Sequence, residues 1–281
     1  MPKKCMFCGA ELTTATRAKE HIFPQWLQRH LRISDALIHP THLTFADKEE
    51  PSLGHRVVSR RQHNLRNLLA GQVCATCNNG WMSTLESEVT PLMISLLTSD
   101  TKVHMLEEQE RLLLARWAAK TAFVLNRGSN FHHLVSDELA HSLRTNTSAL
   151  PPRVSVVGQH HHDLGRAFNW IQSQIWIAST EQHDKAEIYE LQSATFKVSL
   201  QFGQLILLVS YWPQSDWLYV YEKGLHVPLY PIRGPVMWAD GPEEFPWDDA
   251  AAALMHFTFR LGVAHQPSPN STLQPSPTRA T

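Results

Sequence analysis

Three observations predict an α+β protein in two parts. All four cysteines lie between Cys5 and Cys77, in two Cys-x-x-Cys pairs. One long amphipathic stripe fills the stretch after residue 105. From Val154 to about Pro231 the pattern changes to short runs of β-branched and aromatic residues, the texture of an antiparallel sheet. The expected division is an N-terminal zinc-knuckle module over 1–98, an α+β region with a central helix and an antiparallel sheet over 99–262, and a disordered tail over 263–281.

Taken in order, Cys5 to Gly9 predicts a tight knuckle, with Gly9 permitting the turn after the second thiol. Pro24 to Leu31 predicts a helix, because proline is tolerated near a helix start. Residues 32–73 are mixed. Trp81, Leu85, Val89, Leu92 and Leu96 recur at helical spacing, so 81–97 is expected to be helical. Leu106 to Asn126 is the clearest helix: Leu113, Trp117, Ala118, Thr121, Val124 and Leu125 share a face opposite Glu107, Glu108, Glu110, Arg111 and Arg116. Gly128 stops it. Ser136–Arg144 predicts a shorter helix before Pro151-Pro152.

Strands are expected at 154–157, 175–178, 195–200, 205–211 and 217–220, with a hairpin turn over Gln201-Phe202-Gly203-Gln204. A last helix is expected over 248–261. The Pro-, Ser- and Thr-rich stretch 266–281 has the composition of disorder.

The chain has 281 residues, 43% of them hydrophobic, enough for a real core. Its formal net charge of −1 gives no global basic field, so contact with a nucleic acid must come from a local patch. No acid falls between Gly54 and Leu85, and Arg56, Arg60, Arg61 and Arg66 in that stretch are candidates to meet a phosphate backbone. A solvated basic stretch is nearly as good a reading. No apolar run approaches the roughly 18 residues of a membrane span, and no secretory leader follows Lys3-Lys4. A soluble, cytoplasmic protein is expected. In a reducing compartment paired cysteines are metal ligands before they are disulfides.

Cys5, Cys8, Cys74 and Cys77 are therefore expected to bind one structural zinc, with four sulfurs leaving no open position for water. Glu20-His21 lies between the pairs, and Asn78 follows the second. Metal-assisted hydrolysis of a phosphodiester needs oxygen or nitrogen ligands that leave room for phosphate, and a base of suitable pKa. Histidine supplies such a base.

In this order, Cys-x-x-Cys, Glu-His-Ile-x-Pro and Cys-x-x-Cys-Asn resemble the HNH endonucleases, the ββα-metal nucleases with a zinc-knuckle support. The resemblance covers about residues 1–90. It implies His21 as general base, with Glu20 and Asn78 as ligands of a catalytic Mg²⁺ or Mn²⁺. It also implies a middle asparagine that orients the base, Asn67 or else Asn64. A nucleic-acid substrate, more readily DNA than RNA, and a part in bacterial defence or a mobile element go with it. The chain departs from the family pattern in having Glu for Asp, Asn for the last His, and a longer segment from Pro24 to Cys74.

Several features read as ordinary surface or core. Glu86 and Glu88 fit a solvated helix face, with approach of Glu86 to the metal as the lesser reading, and His132-His133 and His160-His161-His162-Asp163 fit solvated loops. Trp170, Trp176, Trp212, Trp217, Trp238 and Trp247 fit the core or rim of the sheet. The C-terminal region is left to choose the substrate, or to meet a protein partner or a second copy of the chain. The competing reading is a non-catalytic zinc module that binds nucleic acid or protein.

Overall fold

The computed structural model describes residues 2–45, 55–60, 62–98, 100–128, 134–160, 168–174, 193–213, 217–222, 226–231, 237–239 and 260–263. Backbone chemistry begins the fold at the first knuckle. Gly9 takes φ +74°, a left-handed conformation that glycine adopts without steric cost, and its N–H donates to the Cys5 carbonyl at 2.8 Å. The knuckle is stitched to the second one through the backbone. Met6 N–H donates to the Gln72 carbonyl at 3.0 Å, and Ala75 N–H to the Thr16 carbonyl at 2.8 Å.

Strand β1 (Glu20–His21) leads into helix α1 (Gln25–His30). An inserted segment follows, with β2 (Leu37–Ile38), β3 (Thr41–Phe45), β4 (His55–Arg60) and β5 (His63–Asn64). Within it β3 pairs with β4 and β2 with β5, both antiparallel. A 3₁₀ turn at Leu65–Asn67 returns the chain to β6 (Leu69–Ala70), which pairs antiparallel with β1: Glu20 faces Ala70 and His21 faces Leu69. A one-turn helix α2 (Ala75–Cys77) and a widened π turn (Asn78–Met82) then run into α3 (Ser83–Leu97). The unit is thus a short antiparallel strand pair followed by a helix, with a hairpin-bearing insertion between its strands.

Helix α4 (Glu108–Gly128) is buried continuously from Leu114 to Asn126. It packs on α3 and on the sheet that follows. Helix α5 (Asp137–Thr145) starts at Ser136, whose hydroxyl accepts from Leu139 N–H at 3.2 Å, an N-cap. A five-stranded sheet contains β7 (Val154–His160), β8 (Phe168–Ser173), β9 (Phe196–Phe202), β10 (Leu205–Tyr211) and β12 (Val227–Tyr230), in the order β12-β7-β10-β9-β8. Its pairings are all antiparallel. A smaller sheet joins β11 (Trp217–Glu222), β13 (Met237–Ala239) and β14 (Arg260–Val263).

The sheet's inner face carries Phe196, Val198, Leu200 and Phe202 at alternate positions of β9. Phe123 meets Phe196 with ring centroids 5.8 Å apart, and Trp117 meets Phe202 at 5.6 Å. Phe23, just after β1, contacts Phe168 at 4.6 Å and Trp170 at 5.5 Å. One buried apolar cluster therefore runs from the cysteine knuckles through α3 and α4 into the sheet, across the boundary expected near residue 98.

The α+β reading and most of its elements hold. The helix read as 248–261 does not reach its expected end, because Arg260 and Leu261 lie in β14, paired with Val220 and Tyr219. Val263, assigned to the tail, closes the same strand. His160 is no solvated loop residue: it ends β7, accepting from Val103 N–H at 3.3 Å and donating to the Leu96 carbonyl at 3.1 Å. The strand expected at 175–178, His132-His133, His161 to Asp163, Arg61, Trp176, Trp247 and the stretches 248–259 and 266–281 lie outside the described residues.

Candidate active site

The four cysteine sulfurs lie within 4.8 Å of one another, so they could hold a metal ion. Cys8 Sγ and Cys74 Sγ are 3.6 Å apart, close to the roughly 3.8 Å edge of a tetrahedron built on metal–sulfur bonds of about 2.3 Å. All four cysteines are free of disulfides. Backbone donors serve the sulfurs: Cys74 N–H donates to Cys5 Sγ and Cys77 N–H to Cys74 Sγ, both at 3.4 Å. The Cys77 side chain, with the backbone of Cys74, Phe7 and Cys8, draws the Cys5 pKa down to about 4 against its burial. Cys8 is pushed up by burial, and Cys77 by its contact with Cys5. A doubly charged cation would let all four ionise.

A cleft of about 130 Å³ opens beside this cluster, lined by Glu20, Asn78, Asn79, Met82, Ser83 and Glu86. Cys77 passes directly into the π turn, where Gly80 leaves helical geometry (φ −95°, ψ −115°). A π turn widens the helix and is frequent at functional sites; here it carries Asn78 and Asn79 to the cleft. The Asn78 amide donates to Asn79 Oδ1 at 3.0 Å. The opposite wall is β1, anchored by the buried Ile22 and Phe23.

Lys120 sits beneath the acids. It lies on α4 with its side chain 0% exposed, and its Nζ donates to Glu86 Oε1 at 2.5 Å and to Glu20 Oε1 at 3.4 Å. Burial opposes its charge, but the two carboxylates outweigh burial and hold its pKa above the usual lysine value. Burial raises the Glu20 pKa, Lys120 opposes that rise, and Glu86 adds to it. Two carboxylates against one ammonium leave an acidic cleft with oxygen donors.

His21 is not among the residues lining this cleft. Adjacent side chains on a strand point to opposite faces, and here Glu20 takes the cleft. The Gln25 amide donates to His21 Nε2 at 2.7 Å. With the amide oriented this way Nε2 carries the lone pair, which leaves the proton on Nδ1. Burial lowers the His21 pKa, while the Arg66 carbonyl and Glu86 oppose it. That carbonyl lacks hydrogen-bond geometry, so Nδ1 stays buried and unpartnered.

The two asparagine candidates separate. Asn64 caps the 3₁₀ turn, its Oδ1 accepting from Arg66 N–H at 3.1 Å, and so fixes the turn whose carbonyl faces His21. Asn67 is exposed at the end of that turn. The arginines are dispersed. Arg56 and Arg60 lie on β4, Arg60 exposed, whereas Arg66 pairs with Asp35 at 3.0 Å on the surface.

Sequence reasoning gave Glu86 the wrong emphasis and missed Lys120. Glu86, read as a solvated helix face in preference to a residue that approaches the metal, lines the cleft and is half-buried. Lys120 was visible only as a charge between Ala119 and Thr121 in an otherwise uncharged run, a signal that it needs an anion. Among the described residues the cysteines are the sole group of three or more Cys, His, Asp and Glu placed to share an ion, so in the cleft amides must supplement the two carboxylates. No described helix is long and apolar enough to cross a membrane. Compared with known proteins, the chain matches no family model, no curated protein and no solved structure.

Proposed function

We propose that this chain is a metal-dependent endonuclease of the HNH kind. One observation carries the reading. Glu20, from the first strand of an antiparallel pair, and Asn78, from the start of the following helix, line one cleft beside a four-cysteine cluster. Knuckle, strand, strand, knuckle and helix follow one another along the chain, which supports the reading.

The cysteines suit zinc, which takes four thiolates in a closed tetrahedral site. The cleft offers oxygen donors from Glu20, Glu86, Asn78, Asn79 and Ser83, and these suit Mg²⁺ or Mn²⁺. Such an ion, when bound, stabilises charge on the phosphate and the leaving oxygen. Glu20 and Asn78 hold it, while Lys120 engages Oε1 of each acid from the buried side. Burial lowers the His21 pKa, which favours the neutral imidazole, and Nε2 could take a proton from water once the Gln25 amide yields that position and the ring turns toward the cleft, whose lining it does not now join. The exposed Arg60 and its strand offer contact to a nucleic-acid backbone.

The test is nicking of supercoiled plasmid, with single-stranded DNA and RNA as parallel substrates, in Mg²⁺ or Mn²⁺. His21→Ala should lower the rate by about a hundredfold or more, the usual weight of a general base. Cleavage that survives this substitution removes His21 from the chemistry. The second reading, a non-catalytic zinc module that binds nucleic acid or a protein, is favoured by the absence of His21 from the cleft lining. Retention of nucleic acid with no cleavage in any divalent ion would establish it.

A further inference from the structure

We propose that Lys120 is a positioning residue for the cleft, fixing Glu20 and Glu86 from below so that their free oxygens face a bound cation. This inference rests on the nuclease reading and deepens it. The three groups come from three elements: Glu20 from β1, Glu86 from α3 and Lys120 from α4. Lys120 is wholly buried, and an ammonium in that position needs anions to be tolerated at all. Both anions within its reach line the cleft.

Each contact uses Oε1, so the ammonium fixes one oxygen of each acid and therefore the rotation of each carboxylate. It also separates two like charges that would otherwise repel each other and disperse. A surface pair could not do this, because exposed lysines trade partners with water. Lys120 is immobilised by a helix buried all round from Leu114 to Asn126. The second half of the chain thereby supplies part of the site of the first half.

The experiment uses the full-length, zinc-loaded protein and two readouts: direct Mn²⁺ titration by electron paramagnetic resonance, and maximal nicking rate. Lys120→Met should cut the maximal rate by about a hundredfold, the usual effect of misplacing a reacting group by an ångström. It should also raise Mn²⁺ half-saturation by about fivefold or more, because carboxylates without their anchor no longer hold their free oxygens toward the ion. Loss of the positive charge alone would lower it, and a lowered half-saturation overturns the proposal. Lys120→Arg, which keeps the charge, should bring half-saturation back to within about twofold of the wild type.

A folded Lys120→Met protein with wild-type rate and half-saturation overturns the proposal. So does a rate loss that merely tracks the fraction of unfolded protein with half-saturation unchanged, since that describes a brace only. If Lys120→Met does not fold, Lys120→Gln takes its place, keeping a hydrogen-bond donor without the charge: a raised half-saturation in the folded protein supports the proposal, and an unchanged one overturns it. A wild type that never cuts, yet binds Mn²⁺ with the expected dependence on Glu20 and Lys120, sinks the nuclease reading and leaves this inference standing.

Discussion

Lys120 and His226 are both buried, and opposite influences decide their charge. Lys120 stays charged because two carboxylates outweigh its burial, whereas His226 has burial as its one resolved influence, and its pKa falls to about 4. The consequence has a sign. The unfolded chain takes up a proton at His226 near pH 6.5, the folded chain only near 4, so stability is fully present above about 6.5 and is lost as pH falls toward 4. The loss should reach at most about 3 kcal/mol. Urea midpoints at pH 7 and 4.5 should converge in His226→Leu relative to wild type; an equal acid loss in both proteins would refute the assignment. The cysteines give a second test. Purified protein should contain about one zinc per chain, and Cys74→Ser should lose both the metal and the cooperative melting of the first hundred residues, because metal binding there is folding free energy. Cysteines, Glu20 and Asn78 were legible in the sequence because their spacing is local and their chemistry narrow. Lys120 was not, and Glu86 only as the lesser reading, because a helical wheel reports a face and not what covers it. The π turn rotates the start of α3, and α4 is buried on every side, so neither charge has the solvent that its residue type predicts.

Elements with strong periodicity were read nearly to the residue. Strand β10 spans the predicted 205–211, and its hairpin with β9 turns through Gly203, whose φ of +57° meets the left-handed demand of a two-residue turn. Helix α4 begins two residues later than read and includes Gly128 as its last residue. The strands β2 to β5 of the insertion were missed: β2 and β5 have two residues each, and on β4 the adjacent Val57 and Val58 are both 60% accessible, so no apolar alternation marks it. Strand β8 was missed too, since each of its residues is half-buried and no period-two contrast survives. Gly158 shows how tightly β7 is set against its surroundings. An added Cβ there would stand 2.9 Å from Val103 Cγ1 and 3.2 Å from Leu229 Cδ1, so the strand and its neighbours would have to part. Gly158→Ala should cost about 1–3 kcal/mol by overpacking, read as a lower thermal midpoint. An unchanged midpoint would mean that Val103 and Leu229 give way freely.

The two expected parts share their interior. Helix α3 belongs to the first by sequence, yet it packs on α4 of the second, and Phe23 beside the Glu-His pair is covered by Phe168, Trp170 and Phe202 of the sheet. Cutting the chain near residue 98 would strip partners from Ile22, Phe23, Leu27, Val89, Met93 and Leu96, all buried now. Each such side chain is worth about 1.5–3 kcal/mol, and together they rival the whole stability of a domain, about 5–15 kcal/mol. The cut would also remove Lys120 and leave Glu20 and Glu86 facing each other without a counter-ion. A fragment of residues 1–98 should therefore lack a cooperative melting transition even with zinc supplied, although its cysteines can still bind the metal. Adding residues 99–281 in trans should restore both the transition and whatever cleavage the full chain shows. A fragment that melts cooperatively and cuts by itself would make the shared core dispensable, and would confine the function to the first third of the chain.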